Sequence, residues 1–271
     1  MTFINHDPFD QLPNPRGLDP LYFDRRRSID AALSYSGSDA TAVSRVIDVG
    51  ANVGRSVEEF LEWYPKCSVL AFEPLPEAFA KLNAALQSSE YLNSRAFTRQ
   101  VGLSNASGMQ TLFSSKLQST NSSFSKINSS ATTVSSHRGL NQNVKSSFEL
   151  DDPDDSYQVV VPVETLDTHL RKEEPAVAAW VDGVDILKID AQSWDMYVLM
   201  GATATLSGTR VVLLEWQFDD IYGPPKPLHV LDRFMADHGF KLWDFAHIYK
   251  DLKSLRTLWV DVIYVKVISD R

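Results

Sequence analysis

The sequence is poor in cysteine, with Cys67 as the only one in 271 residues. A single thiol cannot form a disulfide framework within the chain or a cluster of thiolate metal ligands, so both are excluded. We therefore expect a protein of the reducing cytoplasm.

Basic residues are also scarce, because 26 Lys and Arg are set against 35 Asp and Glu, which gives a formal net charge of −9. Nucleic acids and anionic membranes require a basic face for a broad electrostatic contact. We therefore expect a small-molecule or glycan partner and no nucleic acid. No apolar run approaches the roughly 18 residues of a membrane span, and the first residues lack a basic segment followed by an apolar one. The sequence leaves the oligomeric state open.

The most informative segment that is present is Val46-Ile-Asp-Val-Gly-Ala-Asn-Val-Gly54. An apolar strand that ends near Asp48 is followed by two glycines and then by apolar residues at helical spacing. Gly50 allows a sharp turn, and Gly54 removes side-chain bulk where a helix begins and a ligand can lie against its N-terminus. Such a loop alone is as often a simple tight turn as a binding site.

A second strand, Ser68-Val-Leu-Ala-Phe-Glu73, ends in a carboxylate about 20 residues after this loop. In doubly wound sheets an acid at this position accepts hydrogen bonds from ribose hydroxyls. A lone Glu at a strand end is usually a solvated residue, but the loop and Glu73 together favour a nucleoside cofactor.

The spacing of the glycines discriminates between cofactors. A dinucleotide fingerprint reads G-x-G-x-x-G because the pyrophosphate needs a close approach to the backbone. Here Ala51 and Asn52 stand where a second glycine is needed, so an NAD-dependent oxidoreductase is the less favoured alternative. An acid and glycine loop without a phosphate cradle suits S-adenosylmethionine.

The remaining pattern predicts an α/β protein with a doubly wound sheet, in which residues 97–103 are expected to form the third strand. We expect residues 1–40 to form an N-terminal extension and residues 41–271 to form one domain. The extension contains a predicted helix over residues 21–35, with Ile29 and Leu33 facing the core. The run of three arginines from Arg25 to Arg27 is interpreted as a solvated face rather than an anion site.

A Ser- and Asn-rich stretch over residues 114–150 has too few apolar residues to offset its ordering entropy, so it is predicted to be a long loop. A mobile lid over the substrate is one of two equally weighted readings of this loop. The acidic turn at residues 149–155 is interpreted as a solvated charge run rather than a cation site, and no metal is expected.

Two more carboxylates end predicted strands at the same sheet edge, Asp190 after residues 184–189 and Glu215 after residues 210–214. Ligands of open α/β sheets bind at the carboxyl ends of the strands. Asp190 is the first candidate for a general base and Glu215 the second, although a purely structural role for Asp190 is equally weighted. His137 and His247 are weaker candidates.

Aromatic side chains are frequent near the predicted strand ends. Trp194, Trp216, Trp243 and Tyr222 either stack on a sugar ring or pack in the core and at its rim, and the sequence leaves both readings open.

These motifs taken together resemble the FkbM family of S-adenosylmethionine-dependent methyltransferases. The resemblance extends from about Val46 to the C-terminus, with Ser193 in place of the family's usual glycine and Asp195 in place of its usual glutamate. Besides the glycine loop, the matching pieces are Ala71-Phe-Glu-Pro74, Val101-Gly-Leu-Ser-Asn-Ala-Ser-Gly108, Val163-Glu-Thr-Leu-Asp167, Ile186-Leu-Lys-Ile-Asp-Ala-Gln192, Val198-Leu-Met-Gly-Ala202, Leu214-Glu-Trp216, Ile221-Tyr-Gly223 and His238-Gly-Phe240.

The resemblance implies a class I methyltransferase fold, Rossmann-like, with a mostly parallel sheet and an antiparallel last strand. It also implies O-methylation of a hydroxyl on a sugar, glycoconjugate or polyketide-like metabolite by in-line transfer, with S-adenosylhomocysteine as the product. A degenerate methyltransferase that acts as a binding or scaffold protein is the main alternative. The implied cofactor residues are Asp48, Gly50, Asn52 and Gly54 for the methionine part, Glu73 and Pro74 for the ribose, Gly102 and Leu103 for the adenine, and Asp190 and Gln192 beside the sulfonium and the acceptor.

Overall fold

A computed structural model describes residues 24–115, 122–126, 156–224, 226–250 and 254–267. The strands are β1 (Arg45–Val49), β2 (Ser68–Phe72), β3 (Ala96–Arg99), β4 (Gly102–Leu103), β5 (Gly108–Ser115), β6 (Ser156–Glu164), β7 (Val184–Ile189), β8 (Thr209–Gln217), β9 (Phe240–Lys250) and β10 (Thr257–Lys266). The α-helices are α1 (Arg25–Tyr35), α2 (Arg55–Trp63), α3 (Pro76–Gln87), α4 (Glu90–Asn93), α5 (Leu166–Lys172), α6 (Pro175–Ala178), α7 (Asp195–Met200), α8 (Thr203–Gly208) and α9 (Leu228–Asp237).

Seven strands form the main sheet in the order β3-β2-β1-β7-β8-β10-β9. The pairs from β3 to β8 are parallel, whereas β10 is antiparallel to both of its neighbours. The strand order reverses between β1 and β7, which places a switch point at the carboxyl ends of these two strands. The predicted doubly wound α/β sheet with an antiparallel last strand is confirmed.

The side chains of each central strand alternate between two buried clusters, one on each face of the sheet. In β1, Ile47 belongs to the cluster under α5, α7 and α9, and Val46 belongs to the cluster under α1, α2 and α3. Both faces are apolar, as expected for parallel strands covered by helices on both sides. Ile29 and Leu33 of α1 are fully buried in the second cluster, as predicted, so this helix packs on the same sheet.

The arginines of α1 differ from the expectation of a uniformly solvated face. Arg26 and Arg27 are about half exposed or more, but the side chain of Arg25 is only 16% exposed. Its guanidinium pairs with Glu59 of α2 and Asp261 of β10. Of the three arginines, Arg25 is the one that the helix turns toward the sheet. Its two ion pairs therefore connect α1 with α2 and β10.

A smaller three-stranded sheet, in the order β4-β6-β5, lies beside the main one. It corrects the prediction of one continuous third strand over residues 97–103, because the chain leaves the main sheet after Arg99. Gly102 and Leu103 then pair with Val163 and Glu164 of β6. The small sheet packs its inner face on Leu75 and neighbouring apolar residues.

Several predictions fall partly or wholly outside the described residues. These are the lid reading of residues 114–150, the acidic turn and His137. Ser114 and Ser115, at the start of the predicted loop, belong to β5, and residues 122–126 are described as a short segment beside it. Within the described ranges, no helix combines the length and the apolar character needed to cross a membrane.

Candidate active site

The loop after β1 approaches the loop after β7 at Gly50. The φ of Gly50 is +77°, and a Cβ placed on this residue would lie 1.9 Å from the carbonyl oxygen of Asp190. The backbone amides of Gly50 and Ala51 both donate to the carbonyl oxygen of Phe72 at the end of β2. Glycine is required here by its conformation and by the contact, and it brings the tips of three strands together.

Two predicted cofactor residues, Asp48 and Gly54, lie beneath this loop and do not line the cavity above it. Asp48 is fully buried and accepts hydrogen bonds from Lys188 Nζ at 2.9 Å and from the Ser56 hydroxyl. A Cβ on Gly54, whose φ is +97°, would lie 2.7 Å from Leu82 Cδ1 of α3. Both residues contact the sheet and the helices that carry the loop, and their contact with the cofactor stays a prediction.

Glu73 lies at the tip of β2, as predicted, and is 6% exposed. Its two carboxylate oxygens accept 2.8 Å hydrogen bonds from the backbone amides of Asn52 and Leu75. Burial raises the pKa of this carboxyl to about 7, although the two amides act in the opposite direction. Glu73 is therefore held in one orientation beside the glycine loop.

A cavity of about 320 Å³ opens at the carboxyl ends of β1, β2 and β7, which is the size of a small ligand pocket. Nine of the predicted site residues line it: Gly50, Asn52, Glu73, Pro74, Gly102, Leu103, Asp190, Gln192 and Glu215. The sequence reasoning missed the remaining lining residues: Val49, Phe72, Val101, Leu112, Ser122, Ser123, Phe124, Ala191 and Trp259.

The small sheet and the segment around Phe124 form an apolar wall of this cavity. A Cβ on Gly102 would lie 2.5 Å from the ring of Phe124 and 3.0 Å from Val163. Ser123 joins β5 by an isolated bridge to Phe113, and its hydroxyl donates to the carbonyl oxygen of Gln192 at 2.6 Å. Gly102 is therefore packed closely against Phe124 and Val163, and this packing closes the apolar side of the cavity.

On the opposite side of the cavity, Gln192 connects the two predicted catalytic carboxylates. Its Nε2 donates to Asp190 Oδ1 at 2.8 Å and to Glu215 Oε1 at 3.1 Å. Its Oε1 accepts hydrogen bonds from the Tyr222 hydroxyl at 2.9 Å and from Gln217 Nε2 at 3.2 Å. The amide orientation is fixed because each of its atoms faces groups of the complementary kind. The carboxyl groups of Asp190 and Glu215 therefore both accept a hydrogen bond from Gln192 Nε2.

The segment that carries Gln192 has an unusual backbone. Gln192 and Ser193 have φ values of +48° and +68°, in the left-handed region that favours glycine. A left-handed conformation at position 193 explains why the resembling family usually has a glycine where this chain has Ser193. Ser193 adopts it nonetheless, and its hydroxyl donates to Gln217 Oε1.

Glu215 and Asp195 are the perturbed acids of this region. Burial, followed by the charges of Asp190 and Asp261, raises the pKa of Glu215 well above its ordinary value. Burial and the charge of Asp190 raise the pKa of Asp195 to about 7. Perturbed carboxyls in a cleft are typical of functional sites. Burial therefore favours the protonated form of Glu215 more than it would in an exposed carboxyl.

The predicted aromatic cluster is divided by the structure. Trp216 is buried in the core, and Trp243 packs on Tyr35 of α1. Trp194 stacks on Tyr197 with ring centroids 4.1 Å apart. A tryptophan outside this predicted cluster, Trp259, lines the cavity together with Phe72 and Phe124, and it is stacked on Tyr249 with ring centroids 3.8 Å apart. No motif marked Trp259, since it lies in an alternating strand far from the glycine loop.

The family model described as Methyltransferase FkbM domain matches residues 48–242, which is more than half of the chain. The chain belongs to the FkbM methyltransferase family. This membership and the strand order confirm the predicted family, the methyltransferase class and the class I fold. No curated protein matches the chain.

Two solved structures similar to the FkbM chain illustrate the range of its structural matches. The methyltransferase FkbM from Methylobacillus flagellatus KT is 12% identical with a TM-score of 0.48, and the match covers 82% of this chain and 43% of that one. The present chain thus spans less than half the length of that structure. The magnesium protoporphyrin IX methyltransferase from Synechocystis PCC 6803 with bound SAM is 8% identical with a TM-score of 0.43, covering 89% and 79% of the two chains.

Proposed function

We propose that the protein transfers a methyl group from S-adenosylmethionine to a hydroxyl oxygen of a sugar, glycoconjugate or polyketide-like acceptor. The observation that carries this proposal is the cavity at the strand tips, with Glu73 on one side and the pair of Asp190 and Glu215 on the other. Family membership supports the methyltransferase class, and the choice of a hydroxyl acceptor depends on the carboxylates.

The chain's own residues fit the cofactor. Glu73 presents a fixed carboxylate for the ribose hydroxyls, and the apolar wall that contains Gly102, Leu103 and Phe124 would border the adenine. The loop from Gly50 to Asn52 and the side of Asp190 would hold the methionine part. The loop has no phosphate cradle, which suits a cofactor without phosphate and opposes a dinucleotide.

When it is bound, the cofactor supplies an electrophilic methyl group on a sulfonium, and the protein supplies geometry. Alignment of the acceptor oxygen with that methyl group lowers the barrier by about 7 to 11 kcal/mol. Asp190 is 31% exposed and is held by Gln192, so it is placed to accept the hydroxyl proton, which adds about 10² to 10⁴ in rate. Glu215, when protonated, would donate a hydrogen bond to the acceptor.

The acceptor side of the cavity combines Trp259 with these two carboxyls. An aromatic face beside hydrogen-bonding carboxyl groups suits a ring that carries several hydroxyls, since the ring packs on the indole and the hydroxyls reach the carboxyls. This combination supports a sugar or a sugar-bearing metabolite as the acceptor.

Two measurements test the proposal. Calorimetry with S-adenosylhomocysteine should detect binding, and methyl-labelled cofactor should label a hydroxyl in a panel of free sugars, glycosides and polyketide-like alcohols. Binding without transfer to any acceptor would favour the scaffold alternative. Absence of binding, together with a response in an NADH fluorescence titration, would favour the oxidoreductase.

A further inference from the structure

A second, smaller cavity of about 130 Å³ lies behind Glu215, and we call it the rear chamber. It shares Asp190, Glu215 and Trp259 with the larger cavity, so the two are neighbours with a common wall. The other residues that line it are Arg25, Lys188, Ile189, Leu213, His247 and Asp261.

The walls of the rear chamber are mostly ionisable. Asp261 Oδ2 lies 3.4 Å from Arg25 Nη1 and 3.5 Å from His247 Nδ1, and Lys188 Nζ lies 3.8 Å from Asp190 Oδ2. A polar cavity of this volume has room for several water molecules, and polar walls retain them. Arg25 Nε is buried and has no hydrogen-bond partner among the described residues, which a water molecule in the chamber would satisfy.

The two ends of the chamber differ in their access to solvent. At the inner end, Glu215 borders the larger cavity. At the outer end, the side chain of His247 is 44% exposed. The φ of His247 is +42°, a strained conformation for a residue with a Cβ, and it places the imidazole against Asp261. An imidazole, with one ring nitrogen that donates and one that accepts hydrogen bonds, thus lies between the chamber and bulk water.

We propose that the rear chamber is a water-filled exit path for the proton that leaves the acceptor hydroxyl, with Glu215 at its entrance and His247 at its exit. This inference rests on the proposed function. The acceptor oxygen forms a bond to the methyl carbon, the carbon–sulfur bond breaks with its electron pair retained by sulfur, and the hydroxyl proton is taken by Asp190. The proton then passes to the Glu215 carboxyl, which releases its own proton into the chamber water, and His247 delivers one proton to solvent.

Charged groups from five elements line the chamber or pair with its walls, and the carboxylate of Asp261 lies 3.5 Å from the imidazole of His247. Arg25 is a positioning residue here, because its pairs with Glu59 and Asp261 hold the Asp261 carboxylate against His247. The charged and titratable groups are Arg25 of α1, Glu59 of α2, Lys188 of β7 with Asp190 after it, Glu215 of β8 and Asp261 of β10.

The first test does not depend on turnover. A high-resolution crystal structure of the full chain with S-adenosylhomocysteine should show ordered water molecules linking the Glu215 carboxyl to the His247 imidazole. A dry chamber, or one filled by a side chain, would overturn the proposal. Failure of S-adenosylhomocysteine to bind would count against the proposed function instead, and the chamber water would then be read from the ligand-free crystal.

The second test uses kinetics with the fastest acceptor in the labelling panel. We expect His247→Gln to lower kcat about tenfold while the affinity for S-adenosylhomocysteine is unchanged. The matched control is His229→Gln, on the exposed face of α9, which should leave kcat at the wild-type value. His247→Gly relieves the backbone strain and removes the imidazole, so added imidazole should restore kcat. An unchanged kcat, or a loss that imidazole does not restore, would show that His247 carries no proton.

Discussion

Lys188 Nζ donates a 2.9 Å hydrogen bond to Asp48 Oδ1 between paired positions of β7 and β1, and the two side chains are 7% and 0% exposed. Burial alone lowers the pKa of Lys188, but the carboxylates of Asp48 and Asp190 outweigh it, and the net shift is upward. The pair therefore remains ionic inside the sheet, directly beneath the glycine loop.

We predict that Lys188→Met destabilises the protein by about 3 to 5 kcal/mol, because it leaves the buried Asp48 carboxylate without its cation. Urea unfolding measures this loss. Adding Asp48→Asn to the same chain should recover at least half of it, since no charge then remains unpaired. A cost below about 1 kcal/mol for the single variant would mean that the pair is not buried in solution.

We predict that Gly50→Ala costs about 2 to 5 kcal/mol of stability, because the new Cβ meets the Asp190 carbonyl at φ +77°. The control is Gly108→Ala, where a Cβ meets nothing within 4 Å. Thermal unfolding of both variants gives the comparison. Equal stabilities would show that the two loops are farther apart than described here.

We predict that Glu73→Gln weakens S-adenosylhomocysteine binding by roughly 10- to 100-fold, since a charge-assisted hydrogen bond contributes about 1.5 to 3 kcal/mol. The pKa of Glu73 is about 7 and its ionised form is the better acceptor, so wild-type affinity should rise from pH 6 to pH 8. Calorimetry should find no such rise in the variant. Glu77→Gln, on the exposed first turn of α3, is the control and should bind like the wild type.

We predict that Asp195→Asn flattens the dependence of stability on pH. The pKa of Asp195 is raised from 3.8 to about 7, so the folded protein retains a proton that the unfolded chain releases. The free energy of unfolding therefore falls as the pH rises from about 4 to about 7, by on the order of 3 kcal/mol for this group. Denaturant unfolding at several pH values measures the slope. Asp237→Asn, at the exposed end of α9, should keep the wild-type slope, and an equally steep decline in Asp195→Asn would contradict the assignment.

Much of this fold was predictable from local pattern. The strand and helix periods around Val46, Ser68 and Val184 are regular, and the rule that ligands bind at strand carboxyl ends brought Glu73, Asp190 and Glu215 to one cavity. The prediction of a single third strand was wrong because the exchange of Gly102 from one sheet to another depends on pairing with Val163, about 60 residues later, which no local signal records.

The sequence predicted which residues lie near the strand ends, but it did not predict which of their side chains face the cavity. The first strand was expected to end at Asp48 but continues to Val49, and the Asp48 carboxylate is buried in the sheet, where it pairs with a lysine 140 positions away. Gln192 was expected to lie beside the cofactor and the acceptor, and it does line the cavity, but no local signal predicted that Tyr222 and Gln217 would hold its amide. Phe124 comes from the Ser- and Asn-rich stretch that was read either as a lid or as a plain loop, and its composition did not single out Phe124 as a residue of the cavity wall.

The rear chamber extends beyond the segment that the family model matches, and this affects how the chain should be truncated for experiments. Arg25, His247, Trp259 and Asp261 all lie outside residues 48–242, yet they form most of its outer wall. A recombinant chain trimmed to the matched segment would retain Glu73, Asp190 and Glu215 while exposing the back of Glu215 to bulk solvent. Such a truncation would remove the edge strands and with them the burial that raises the pKa of Glu215, so screening for an acceptor calls for a chain that keeps the elements carrying Arg25, His247, Trp259 and Asp261.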